Sequence, residues 1–167
     1  MIEVRVATIQ VSLVSAHRIV VLQEIGMERY LPIWIGACEA EAISMELQGV
    51  DPPRPMTHDL LTNMMERLGG RLDYILVHSL ANDTFYGSLF VEVDDELIEI
   101  DSRPSDAMAI AVRAGVPIYV DETVMEKAGV EPEENLLESV SGVGEDEDLD
   151  VFRDFLNNID LDDLPTD

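Results

Sequence analysis

The chain has 167 residues, 47% of them hydrophobic, and carries a formal charge of −25 from 35 acids against ten bases. Such a length allows one domain with a sizeable core plus a tail, and the acid excess excludes the basic stripe with which a general nucleic-acid binder neutralises phosphates. Cys38 is the only cysteine, which excludes an internal disulfide and any CxxC metal or redox motif.

The first residues, MIEVRVATIQVSL, have no basic start and alternate Ile2, Val4 and Val6 with Glu3 and Arg5. They predict a strand over 2–13 rather than a signal peptide. No apolar run approaches the roughly 18 residues of a membrane span, so a cytoplasmic protein without a membrane partner is expected. Residues 18–25 are a second apolar run and 30–35 (YLPIWI) a third, with Pro32 marking an edge strand or a strand beginning. In "GACEAEAISMELQGV", Ala40, Ile43 and Leu47 recur at helical spacing and Gly49 closes the helix. "DPPRPMTHDL" sets three prolines around Arg54, then offers Thr57 as N-cap and Asp59 in the first turn of a helix that stops at Gly69-Gly70.

Strands follow over 72–80, 84–93 and 97–101, with turns at 81–83 and 94–96. The stretch "DSRPSDAMAIAVRAGVPIYV" then predicts a helix from Pro104 to Ala114, a stop at Gly115 and a strand over 116–120. Asp121 caps a short helix ending before Gly129. Strand, strand, strand, helix thus occurs twice. "IWIGACEAEAISMEL" aligns with "IEIDSRPSDAMAIAV" at an offset of 65, which sets Glu41 on Asp106.

Beyond Gly129 the composition changes. Residues 131–167 hold 14 acids against Arg153 alone. "SGVGEDEDLD" reads as a flexible acidic linker, and Val151, Phe152, Phe155, Leu156 and Ile159 form one helical stripe. Two outcomes stay open for that stripe: docking on the body or a partner, or no structure in isolation. Lysine poverty, with Lys127 alone, also suits a surface adapted to high salt.

No GxSxG, P-loop, GxGxxG or HExxH motif is present. The residues able to carry chemistry therefore sit in three places. Asp101, Ser102, Arg103, Ser105 and Asp106 surround Pro104; with Pro104 at the first helical position, Asp106 meets free N–H groups and Arg103 stands where a phosphate would bind. Asp101 and Asp106 could share Mg²⁺ or Mn²⁺ if the turn folds back. The same residue types are what any helix start needs. Arg54, Thr57, His58 and Asp59 form the second group, with His58 a general base near neutral pH. Glu39 and Glu41 form the third, and being two apart on a helix they do not face the same way.

Three blocks, "YLPIWIGACEAEAISMELQGVDPPRPMTHDLL", "DTFYGSLFVEV" and "DSRPSDAMAIAVRAGVPIYVDE", together resemble the bifunctional nuclease (BFN) domain family over roughly residues 2–129. The resemblance implies a compact α+β domain of two β-β-β-α units, commonly a homodimer, with nuclease activity on DNA and RNA in some members. The polar positions in the matching blocks are Glu39, Glu41, Arg54, His58, Asp59, Asp101, Arg103, Ser105 and Asp106.

The expectation is an α+β domain over 1–130 with a mostly antiparallel, barrel-like sheet, followed by an acidic linker and short amphipathic helix over 131–167. Two functions compete. In one, Asp101 and Asp106, with Glu41 if the halves converge, hold a divalent cation. Arg54, Arg103 and Ser105 then bind the phosphate of DNA or RNA, and His58 or a metal-bound water begins the attack, with no organic cofactor. In the other, the same residues cap helices in a non-catalytic homodimeric interaction or regulatory module.

Overall fold

The structure is a computed structural model that describes residues 1–11 and 18–131. His17, the expected end of the first strand, the acidic linker and the apolar stripe of the tail lie outside the described residues.

The elements run β1 (Ile2–Val11), β2 (Arg18–Glu24), β3 (Tyr30–Ile35), α1 (Ala37–Leu47), α2 (Thr57–Arg67), β4 (Arg71–Ala81), β5 (Thr84–Val93), β6 (Glu96–Ser102), α3 (Pro104–Ala114), β7 (Ile118–Val120) and α4 (Glu122–Ala128). One sheet holds the seven strands in the order β3-β2-β1-β7-β4-β5-β6. Each meander, β1-β2-β3 and β4-β5-β6, pairs antiparallel within itself, and β7 joins them, antiparallel to β1 and parallel to β4. The result is mixed α+β with a curled, half-barrel sheet.

Local chemistry explains the hairpins and the curl. Asn82-Asp83 and Asp94-Asp95 all adopt positive φ, between 50° and 65°. Asn and Asp tolerate that conformation, and it gives the two-residue turns whose twist matches the flanking strands. Bulges interrupt the register between Val6 and Thr8, between Leu72 and Tyr74, and between Val77 and Ser79; each adds local twist and bends the strand. Pro32 lies in β3, an edge of the sheet, where its missing N–H costs no ladder bond.

The core lies between one face of the sheet and the helices. Val20, Leu22, Leu31 and Ile33 from the first meander and Ile75, Val77, Leu89 and Val91 from the second meet Ile43 of α1, Met108 and Ile110 of α3, and Val124 and Met125 of α4. Ala107, Ala109 and Ala111 are buried on α3, and their small size lets the helix lie close to its neighbours. At the start of that helix the sheet also comes close. A Cβ on Gly87 of β5 would stand 3.3 Å from Pro104 Cα, so glycine permits the approach. On the opposite face Tyr74 stacks on Phe90, with 4.4 Å between ring centroids, and meets Tyr119 edge-on at 5.6 Å.

Three sequence expectations shift. Thr57 is the first helical residue of α2 and not its cap; Met56 holds the cap position and its N–H donates to Asp59 Oδ2 at 2.7 Å. The carboxylate reaches back one turn, as an acid at this position does in a capping box. The strand over 116–120 shortens to Ile118–Val120, because Pro117 has no N–H to donate. The two units do repeat, but α1 and α3 start 67 residues apart, at Ala37 and Pro104, and not 65. Glu39, rather than Glu41, is therefore the equivalent of Asp106.

Candidate active site at three helix N-termini

The helices α1, α2 and α3 each carry a carboxylate at the third helical position: Glu39, Asp59 and Asp106. An acid there faces the unpaired N–H groups and the positive end of the helix dipole. Each of the three is also paired to an arginine of the α3 segment. Arg103, the cap residue of α3, donates from Nε to Asp106 Oδ2 at 2.7 Å and from Nη2 to Asp106 Oδ1 at 3.1 Å. The same Nη2 reaches across to Glu39 Oε1 at 2.6 Å. Arg113, in the last turn of α3, pairs through Nε with Asp59 Oδ1. It also donates to the carbonyl oxygens of Ala109 at 2.7 Å and Ala42 at 3.0 Å. One guanidinium therefore ties α3 to α1 at the start of the helix, and another ties α3 to both α1 and α2 at its end.

His58 completes the cluster. Its Nε2 lies 3.2 Å from Asp106 Oδ1, so an unbroken chain of contacts runs Glu39, Arg103, Asp106, His58. The imidazole is largely enclosed, whereas the Arg103 side chain is 66% exposed. The cluster thus has a sheltered end at His58 and a solvent-facing end at Arg103.

Electrostatics follow from these contacts. Burial pushes the Asp106 carboxyl up, but hydrogen bonds from Arg103 and His58 outweigh it, and the group is held below the ordinary aspartate value. Arg113 holds Asp59 below its ordinary value in the same way. The pairing with Asp106, and next with Glu39, raises Arg103 further. At neutral pH Asp106 is an anion and Arg103 a cation.

The expected site residues divide. Asp106, His58 and Arg103 come together. Ser105 is buried at the second position of α3. Arg54 stands exposed in the loop before α2 with no side-chain partner among the described residues. Glu41 is exposed on α1, outside the contact chain. Asp101 pairs with Ser88 in the β5–β6 ladder; Gly87, next to Ser88, faces α3, so Asp101 projects from the other face of the sheet. The turn does not fold back to bring Asp101 onto Asp106. Ser102, one of the expected group, has its hydroxyl buried directly before Arg103 with no partner among the described residues.

The fit to a divalent cation can be tested on the donor set. Mg²⁺ or Mn²⁺ needs hard oxygens free to turn toward it. Both Asp106 oxygens are engaged by cationic or ring N–H groups, and Asp101 and Glu41 lie elsewhere. Among the described residues no group of three or more His, Cys, Asp or Glu is arranged to hold a metal ion. The residues present do not fit the ion that sequence reasoning expected. Nor is any described helix long and apolar enough to cross a membrane.

The chain is similar to known proteins over most of the described residues. A family model described as "Bifunctional nuclease domain" matches residues 20–133. The chain is 44% identical over 163 residues to an uncharacterized protein of Mycobacterium tuberculosis, covering 97% of each. It is 29% identical over 117 residues to bifunctional nuclease 1 of Oryza sativa subsp. japonica, covering 68% of this chain and 35% of the rice protein. With bifunctional nuclease 2 of Arabidopsis thaliana it shares 28% identity over 112 residues, 65% of this chain and 34% of the plant protein.

Proposed function

The chain belongs to the bifunctional nuclease domain family, and from that premise we propose that it hydrolyses phosphodiester bonds of DNA or RNA at the cluster centred on Arg103. One observation carries the reading: the chain of contacts from exposed Arg103 through Asp106 to enclosed His58. An ionised Asp106 favours the imidazole tautomer with its proton on Nε2, facing the carboxylate. The Nδ1 lone pair is then left to accept a proton. In this reading His58 Nδ1 takes the proton from an attacking water and a new P–O bond forms; the bond to the sugar oxygen breaks with its electron pair left on that oxygen, which takes a proton from solvent. Arg103 meets the phosphate oxygens on the solvent side, with Arg54 a second contact where the chain of the substrate continues. Asp106 positions both of its partners without touching the reacting atoms.

The test is degradation of single-stranded DNA and of RNA by highly purified protein, comparing wild type with Asp106→Asn. Each is assayed with Mg²⁺, with Mn²⁺ and with a chelator. The amide cannot hold the tautomer, so Asp106→Asn should lose about 10²-fold or more in rate, in keeping with what a positioned base contributes. Equal rates in the two proteins would discard the cluster as the site.

A second reading, a homodimeric interaction module, is favoured by β6. This edge strand exposes Leu97, Ile98 and Ile100, each by 44% to 51%. An exposed edge with apolar side chains is a surface for another chain.

A further inference from the structure

We propose that residues 151–159 of this chain's own tail dock along the outer face of α2. The observation behind it is that α2 is a helix of eleven residues with none buried. Helical stability in proteins comes mostly from packing an apolar face, and this helix has such a face with no cover among the described residues. Leu60, Met64 and Leu68 recur every four residues along one row, Leu61 lies beside them, and the four are 46% to 79% exposed. On its other side α2 is held by Met65 against the core and by the pairs from His58 and Asp59 to α3. The tail supplies a matching stripe, Val151, Phe152, Phe155, Leu156 and Ile159, at helical spacing.

Charge selects the tail as the occupant. Arg54 precedes the α2 stripe and Arg67 lies in its last turn; neither has an ion-pair partner among the described residues. The tail stripe is flanked by acids on both sides, "EDEDLD" over 145–150 and "DLDD" over 160–163. An apolar row with a cation at each end thus meets an apolar row with carboxylates at each end. A domain of about 130 residues is roughly 40 Å across. The 19 residues between Glu131 and Val151 span about 25 Å as a flexible coil and up to about 65 Å when extended. A tether of that length gives an effective concentration of the order of millimolar, which lets a short amphipathic segment bind in cis where it would not in trans. The match to the Mycobacterium tuberculosis protein covers 97% of this chain and so runs through most of the tail, past residue 133 where the family domain stops.

Hydrogen exchange on the full chain tests the docking independently of any activity. Wild type is compared with Phe152→Ser/Phe155→Ser and, reciprocally, with Leu61→Ser/Met64→Ser, all substitutions outside the core. The expected result is that residues 60–68 and 151–159 both exchange about ten-fold slower in wild type than in either double variant. The slowing should be the same when the protein is diluted. Three results would each overturn the proposal: free exchange of 151–159 in wild type, protection of α2 that ignores the tail substitutions, or protection of the tail that ignores the α2 substitutions. Slowing that vanishes on dilution overturns it as well and gives the face to a second copy of the chain.

Discussion

Arg113 and Arg103 sit at opposite ends of one helix and carry opposite duties. Arg113 is 6% exposed and bonds a carboxylate and two carbonyls from three helices. Removing one partner of a buried ion pair leaves the other charge unpaired in a poor solvent. Arg113→Ala should therefore destabilise the protein by about 3–5 kcal/mol in chemical denaturation, whereas the exposed Arg103→Ala should cost no more than about 1 kcal/mol. The carboxylates add a pH dependence. Asp59 and Asp106 are held below their ordinary values in the folded chain, so the unfolded chain takes up their protons first. Their stabilisation is present above about pH 4 and is lost as pH falls through the lower native values. Arg113→Ala should flatten that acid limb, since it removes the main cause of the Asp59 shift. Residue types alone pointed to His58, Arg103 and Asp106, because helix starts collect such groups. They could not rank Glu39 over Glu41. A two-residue error in aligning the repeats turns a side chain by about 200° around a helix, and a match of such low identity does not fix the register to two residues.

The elements themselves were legible where a local signal ends them. The strands at Tyr30–Ile35 and Thr84–Val93 and the helix at Pro104–Ala114 have the bounds that alternation, paired Asn/Asp turns, Pro104 and Gly115 predict. What the chain does not announce locally is the order of strands in the sheet. That β7 joins the two meanders, and that β6 is left as an edge, follows from which faces find cover. The alternation of β6 reads as half-buried, yet Ile98 and Ile100 share the helix side of the sheet and stay exposed. If β6 is the homodimer surface, Ile98→Asp/Ile100→Asp will halve the mass measured by light scattering without changing the far-ultraviolet circular dichroism. A wild-type protein that scatters as a monomer at every concentration rejects that reading.

If its substrate is DNA or RNA, a chain of net charge −25 must approach a polyanion. Long-range repulsion acts over about 30 Å in 10 mM salt and only about 8 Å at 150 mM. For a basic binder, salt weakens nucleic-acid affinity; here kcat/KM should rise between those two concentrations, because screening lifts the repulsion before it disturbs the close contacts of Arg103 and Arg54. A steep fall instead would mean that close phosphate contacts by the described arginines, rather than long-range repulsion, govern binding. Among the described residues, His58 is the proton-accepting group that the fold brings to Asp106. The most direct measurement is the rate of phosphodiester cleavage by His58→Ala, alone and with added imidazole. A loss of about 10²-fold or more is expected, with partial restoration by imidazole. Cleavage by His58→Ala at the wild-type rate would contradict it.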